Sequence, residues 1–273
     1  MRLRFELYAE AGAIQAPRNA IQQVSMGIFD FLGKKKSDQA PRPSPREIAR
    51  LERLLGNKLS QNFDRQEAIQ ELGRMGTAQA AAALLKRFDW VLDPSITDQD
   101  EKESCMQGIV AAGEDALEPI REYCKKAESL TWPLKVLRAI VKGDEQAAEE
   151  LLGILDQFDT EYVRNAEPKV QLIQALEAYK SDEVRVAVEP FLRDMSEPVR
   201  FTSATTLFEL NDPTSLPSLL DALENEESRR VQNRIAQGLA DRAWPIPNEL
   251  SSAANKSLPP GFGIADGRVQ KLR

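Results

Sequence analysis

One repeating pattern constrains this chain more than any other feature. A small or polar residue followed by an aliphatic one closes one amphipathic segment after another: Glu71-Leu72, Gly108-Ile109, Ala139-Ile140, Ala175-Leu176, Thr206-Leu207 and Gly238-Leu239. The aliphatic members are 37, 31, 36, 31 and 32 positions apart. Four residues after each of the first five stands Gly76, Gly113, Asp144, Lys180 or Asn211. All but Lys180 are turn formers that tolerate a left-handed backbone, which ends a helix and lets the chain reverse. A second helical segment follows each turn, with apolar residues Leu84 and Leu85, then Leu117 and Ile120, then Leu151, Leu152 and Leu155, then Val188, Phe191 and Leu192, then Leu216, Leu219, Leu220 and Leu223. The unit is helix, tight turn, helix. One such hairpin cannot bury its own apolar face, so successive hairpins must stack, and a period in this range belongs to an all-α solenoid rather than to a bundle around one centre.

The flanks have a different character. Residues 1–44 read as an N-terminal extension and linker, 45–243 as the solenoid and 244–273 as a capping tail. Ser37 to Pro45 holds Pro41, Pro43 and Pro45, each fixing its own φ and turning the preceding residue away from helix. Ser44 is then expected as an N-cap, with Pro45 at the first helical position. Ile48, Leu51, Leu54, Leu55 and Leu59 follow as one apolar stripe. Further upstream, Met26-Gly-Ile-Phe-Asp-Phe-Leu-Gly33 runs into Lys34, Lys35 and Lys36. The abrupt change at Met26 makes it a candidate start. The apolar cluster with its lysines is either an arm or a weak peripheral membrane contact through Met26–Lys36. At the other end, Trp244-Pro-Ile-Pro247 stops the last regular helix, and a short polar helix is expected around Asn248 to Lys256. Asp266-Gly267 between two short β-prone runs predicts a small C-terminal β-hairpin that covers the open end of the stack.

The clearest unit runs from Glu197 to Leu223. It opens on Pro198-Val199-Arg200, carries the small residue Ala204 and then Leu207, turns at Asn211-Asp212-Pro213, and enters its second helix at Leu216-Pro217. This resembles the bacterial HEAT repeat, including the HEAT-like group of the phycobilisome-lyase type. Glu114-Asp115-Ala116-Leu117-Glu118-Pro119-Ile120 is similar to the same turn and second-helix opening. The resemblance covers roughly Asp64 to Arg242. It implies a right-handed, HEAT-like α-solenoid, related to armadillo-like helical folds, whose second helices line a concave face.

Composition narrows the chemistry. With 36 Lys and Arg against 43 Asp and Glu, the net charge of -7 argues against binding a phosphate backbone. The chain has no His, so the commonest general base and metal ligand at neutral pH is missing. Cys105 and Cys124 are its two thiols. They read as small apolar core residues of neighbouring helices, with a bridge between them or a reactive thiol as the alternatives. No Gly-rich phosphate loop, paired-Cys spacing or nucleophile elbow is found, and no metal or cofactor is expected. No run of apolar residues is long enough for a membrane span, and a cytoplasmic protein is expected.

Candidate sites are correspondingly diffuse. Glu149 with Glu150, and Glu226 with Glu227, read as solvated charges. Asp98, Asp100, Glu101 and Glu103 form an acidic cluster, which the helix dipole explains if Thr97 or Asp98 is the N-cap; a cation site is the alternative. Trp90, Trp132 and Trp244 lie at segment ends and read as packing residues, with partner contact as the alternative. The resemblance nominates a groove along the second helices whose polar residues include Lys86, Glu118, Arg121, Glu122, Lys125, Glu150, Glu189, Arg193 and Asp221. Both signs of charge occur there, which suits a protein or peptide better than a nucleic acid. The expected function is a non-enzymatic scaffold or adaptor that binds another protein. The resemblance also implies two rivals, a lyase-type subunit that binds a tetrapyrrole or its carrier protein and a DNA-repair glycosylase. The absence of His weighs against the first, and the lack of a basic groove against the second.

Overall fold

The computed structural model describes residues 44–272. The linker, the Met26 start and the Met26–Lys36 membrane contact lie outside the described residues. The described chain is an all-α solenoid that ends in a small β-hairpin. An entry helix α1 (Pro45–Gly56) precedes the hairpins. The first helices of successive hairpins are α2 (Asn62–Met75), α4 (Ser95–Ala111), α6 (Thr131–Ile140), α8 (Glu167–Leu176), α10 (Glu197–Leu210) and α12 (Arg229–Arg242). The second helices are α3 (Ala78–Leu85), α5 (Leu117–Cys124), α7 (Asp144–Leu155), α9 (Asp182–Val188), α11 (Leu216–Asn225) and α13 (Asn248–Ser257). The strands β1 (Phe262–Ala265) and β2 (Arg268–Lys271) follow.

Local signals set the boundaries. Ser44 caps α1 by accepting the Glu47 N–H at 3.2 Å, and Pro45 takes the first position. The left-handed turns fall at Gly76, Gly113 and Asn211, at φ of 56°, 59° and 60°. Two expectations fail. In the third hairpin the left-handed residue is Gly143 (φ 94°), and Asp144 is instead the first residue of α7, where a carboxylate favours the helix N-terminus. Leu59 lies past the end of α1 and is 89% exposed, because Gly56 and Asn57 end the helix before the stripe reaches it.

The helices form two layers. In one, α2 packs on α4 and α4 on α6, then α8 on α10 and α10 on α12. In the other, α1 packs on α3 and α3 on α5, then α7 on α9, the 3-10 turn Glu189–Arg193 on α11, and α11 on α13. The repeating pair explains itself here. Its aliphatic members Leu72, Ile109, Ile140, Leu176, Leu207 and Leu239 are all buried in one continuous core. Its small members let first helices approach. A Cβ on Gly108 would lie 3.0 Å from the Gly73 Cα and 2.9 Å from the Leu84 side chain. Thr206, fully buried, donates from Oγ1 to the Ile173 carbonyl at 3.2 Å. Between α6 and α8 the contact is partly polar: the Gln171 side chain reaches Ser129 and Thr131, and Asn165 donates to the Glu128 carbonyl at 2.7 Å.

The C-terminal end is closed as expected. Ala243, left-handed at φ 51°, ends α12, and Trp244 packs on Phe208 at 5.7 Å between ring centroids. The hairpin turns at Asp266 and Gly267, both at positive φ, and pairs Ile264 with Val269. Val269 is buried and β2 lies against α12, while the Ile246 N–H donates to the Gly267 carbonyl at 2.8 Å. None of the described helices is long and apolar enough to cross a membrane.

Two glycines test this packing in opposite directions. A Cβ on Gly238 would sit 2.3 Å from the Phe208 ring, which is itself buried and held by Trp244. Gly238→Ala should therefore lower stability by about 1–3 kcal/mol. Gly153 on α7 has nothing within 4 Å of that position, and Gly153→Ala should raise stability by about 0.5–1 kcal/mol. Urea midpoints of the two variants against the parent measure both effects.

Candidate functional site

The expected groove residues all lie on the second-helix layer or the turns that extend it, and the structure sorts them into pairs. On α5, the Arg121 guanidinium donates to both Glu150 carboxylate oxygens, at 2.8 and 2.7 Å, and to Glu118 at 2.9 Å. Glu150 sits on α7, so this fork crosses from one hairpin to the next. Lys86, which begins the 3-10 turn after α3, pairs with Glu52 of α1. Arg193 pairs with Asp221 of α11. Glu122 of α5 pairs with Lys125, the residue that follows that helix. Glu189 accepts from Arg185 at 2.7 Å and from Ser218 of α11 at 3.0 Å. Donation to Glu150 raises the pKa of Arg121, and donation to Asp221 raises that of Arg193.

Much of the expected polar groove thus links the hairpins to one another. Glu150 is buried and unavailable to a ligand, and Arg121 is the cation that satisfies it. Lys86, Glu118 and Glu122, by contrast, line an open cavity of about 480 Å³ between α3 and α5 with Leu85, Pro119 and Tyr123. Arg193 lines another of about 540 Å³ toward α11. Further cavities open between α1 and α3, and between α7 and α9. These lie between neighbours in the second-helix layer, and the Arg193 cavity also reaches Arg200 of α10.

Adjacent acids that read as solvated pairs divide between inside and outside. Glu149 is exposed while Glu150 is buried; Glu227 is exposed while Glu226 is buried, gripped by Arg200 at 2.8 and 2.9 Å. Burial by itself would raise the Glu226 pKa, but Arg200 and the Ser228 N–H outweigh it and hold the carboxyl below its ordinary value. The partners stand 29 and 26 positions apart, a spacing present in the sequence but hidden by the many other charges.

The acidic run at Asp98 also takes a form that the sequence did not reveal. The helix starts at Ser95 after Pro94, with no side-chain cap, so neither Thr97 nor Asp98 is the N-cap. Asp98 and Glu101 turn inward instead. The fully buried Arg87 donates to Glu101 at 2.7 Å, to Asp98 at 2.8 Å and to the Trp90 carbonyl at 2.9 Å. Arg65 meets the other Glu101 oxygen at 2.9 Å, and Lys102 meets Asp98 at 2.8 Å. The Trp90 ring lies 3.8 Å from the Arg87 guanidinium, a packed cation–π contact. The cations that answer these acids are therefore the protein's own. A second buried pair, Lys169 with Asp194 at 2.7 Å, also draws the Glu161 carbonyl to Lys169 at 3.0 Å.

The other candidates are packing residues in geometry. Trp132 stacks on Phe88 at 5.6 Å between centroids. Cys105 and Cys124 are free and buried, and burial pushes the Cys124 thiol up to about 12 and raises that of Cys105 as well. Thiols so perturbed carry little thiolate at neutral pH. Among the described residues, no group of three or more Cys, Asp or Glu side chains is placed to hold a metal ion.

Comparison with known proteins agrees with the geometry over part of the chain. Residues 164–240 match the family model described as HEAT repeats, and this stretch holds α8 to α12 almost entire. Residues 164–240 are thus similar to HEAT repeats, and the hairpins before residue 164 share the helix–turn–helix plan of that stretch. No curated protein matches the chain. A solved chain from work on the computational design of self-assembling cyclic protein homooligomers is similar over 78% of this chain and 68% of its own length. Its identity is 13% and its TM-score 0.14, too low to bear on the fold.

The buried cluster generates two predictions. Arg87→Ala leaves Asp98 and Glu101 buried without their main partner and should cost about 3–5 kcal/mol in urea unfolding. Burial would raise the Asp98 pKa, but hydrogen bonds from Lys102 and Arg87 outweigh it and hold the carboxyl below 3.8. Its stabilising effect is therefore complete above the unfolded-state value and lost as pH falls through the depressed folded value. Asp98→Asn should accordingly be less stable than the parent at neutral pH, and the gap should close below about pH 4, as read from urea midpoints across that range.

Proposed function

We propose that this protein is a non-enzymatic scaffold or adaptor that binds another protein or peptide along its second-helix layer. HEAT repeats generally mediate protein–protein interaction, which supports the reading at the level of class. The observation that carries it is the placement of the cavities. Those between α1 and α3, α3 and α5, α7 and α9, and the Glu189–Arg193 turn and α11 open along the same layer, each combining apolar and charged lining. A row of shallow clefts along a rigid stack offers an extended ligand many small contacts, which favours a polypeptide over a small substrate. The net charge of -7 opposes nucleic acid, and the proposed setting is the cytoplasm.

The groove set proposed for partner contact is the exposed part of the expected one: Lys86, Glu118, Glu122, Lys125 and Arg193. Arg121, Glu150, Glu189 and Asp221 support it from within the stack. Cross-linking mass spectrometry on the captured partner complex tests this reading. Cross-links should concentrate on Lys86, Lys125 and Lys180 beside the second helices rather than on Lys135 of α6. Concentration on α6 would overturn the assignment. Glu118→Arg with Glu122→Arg should weaken recovery of the partner severalfold without shifting the urea midpoint.

A further inference from the structure

The cavity between α7 and α9 differs from the rest of the layer in its charge. On α7, Glu145, Glu149, Leu152 and Gly153 follow helical spacing and share one face, which Asp156 extends just past the helix end. Two adjoining cavities of about 610 and 690 Å³ run along that face, and Leu152 and Glu183 line both, so they form one trough. Its floor is apolar and partly open: Leu152, Phe158, Tyr179, Ala187 and Pro190. Its rim carries Glu145, Glu149, Asp156, Asp159 and Glu183, all exposed, against Lys180.

The fold makes little use of these rim charges. Elsewhere in the layer, several carboxylates are neutralised across the stack, as in Glu52 with Lys86, Glu150 with Arg121 and Asp221 with Arg193. Beside the trough, Asp144 pairs with Arg138 and Asp182 with Arg185. Among the described residues, none of the five rim carboxylates has such a cation. Two are also placed against helix stability. Glu149 repels Glu145 one turn away, and Asp156 follows the last residue of α7, where negative charge opposes the helix dipole. Gly153 adds a helical position with open space where a side chain would stand, so another chain can approach the α7 backbone closely.

We propose that this trough seats a basic amphipathic helix of a partner protein. Apolar side chains of that helix rest on Leu152, Phe158 and Pro190, and its Lys and Arg side chains meet the acidic rim. α7 has 12 residues, about 18 Å, so the trough takes about three turns of a partner helix. The same rim repels phosphate backbones and anionic lipid surfaces. This proposal rests on the adaptor reading and assigns the partner's chemistry at one of its clefts.

The test uses the full chain and a fluorescent synthetic peptide of about 14 Leu and Lys residues, long enough for the trough, arranged with one apolar face. Two controls accompany it: a peptide with Glu in place of Lys, and a peptide of equal charge with Ser in place of Leu. Anisotropy should show the Leu/Lys peptide binding and both controls at least about tenfold weaker, with the affinity falling as salt screens the rim. Glu149→Lys with Asp156→Lys should weaken binding by about tenfold or more, whereas Glu47→Lys with Asp64→Lys, the same charge change away from the trough, should leave most of it. Hydrogen exchange should slow at α7 and α9 on binding. Equal binding of the Leu/Lys and Ser/Lys peptides, or equal losses in the two double variants, would mean attraction to net charge alone and overturn the proposal. Protection confined to another cleft of the second-helix layer overturns it while sparing the adaptor reading. Protection confined to the first helices overturns both.

Discussion

Everything in this structure depends on one helical hairpin covering the apolar flank of the next. The first helices meet where the chain is small. Gly73 and Gly108 bring α2 and α4 close together, and Gly238 leaves room on α12 for the Phe208 ring of α10. A Cβ at Gly108 or Gly238 would force the neighbouring helix away, and burial in the shared core would fall at that step. The small-aliphatic pair is therefore a packing device in which the small residue sets the distance and the aliphatic one fills the core.

A second device works beside it. The chain has 79 charged side chains, and not all of those in the described residues stay at the surface. Several are buried as pairs: Arg65 and Arg87 with Glu101, and Arg121 with Glu150, join successive hairpins, whereas Lys169 with Asp194 and Arg200 with Glu226 tie the first helix of a hairpin to the end of its second. Apolar contact between helix layers tolerates sliding, whereas a forked guanidinium–carboxylate bond accepts one geometry. These links give each step of the stack a defined register. Loss of one partner is costly because the other remains buried. Against that background the bare acidic rim between α7 and α9 stands apart: its carboxylates fix no register, and their charge remains available to a partner.

The residues show why some of this could be read directly and some could not. The period, the turns at Gly76, Gly113 and Asn211, the Ser44 cap and the Asp266-Gly267 hairpin all follow from contacts within a few residues along the chain. The Asp144 turn was misplaced by one residue, because the sequence offered both a glycine and an acid and only the backbone shows which is left-handed. The cluster at Asp98 was misread because its partners Arg87 and Arg65 lie outside its own helix. The residues named for the groove lie on the second-helix layer or the turns that extend it. Which of them are exposed and which are bound in pairs was invisible, since Arg121 and Glu150 are 29 positions apart and nothing local couples them.

The sequence by itself determined that the chain is an α-solenoid, where most of its hairpins reverse and that it ends in a β-hairpin. These follow from periodicity, backbone propensity and the need to hide an apolar stripe. The tertiary structure alone decided which member of each acidic pair turns inward, which expected groove residues are committed to holding the stack, and where a cleft keeps its charge. A helix fixes the direction in which a side chain leaves its own axis. Whether that direction meets a neighbour's guanidinium or open water depends on how the next hairpin is seated, a distance of one full repeat along the chain.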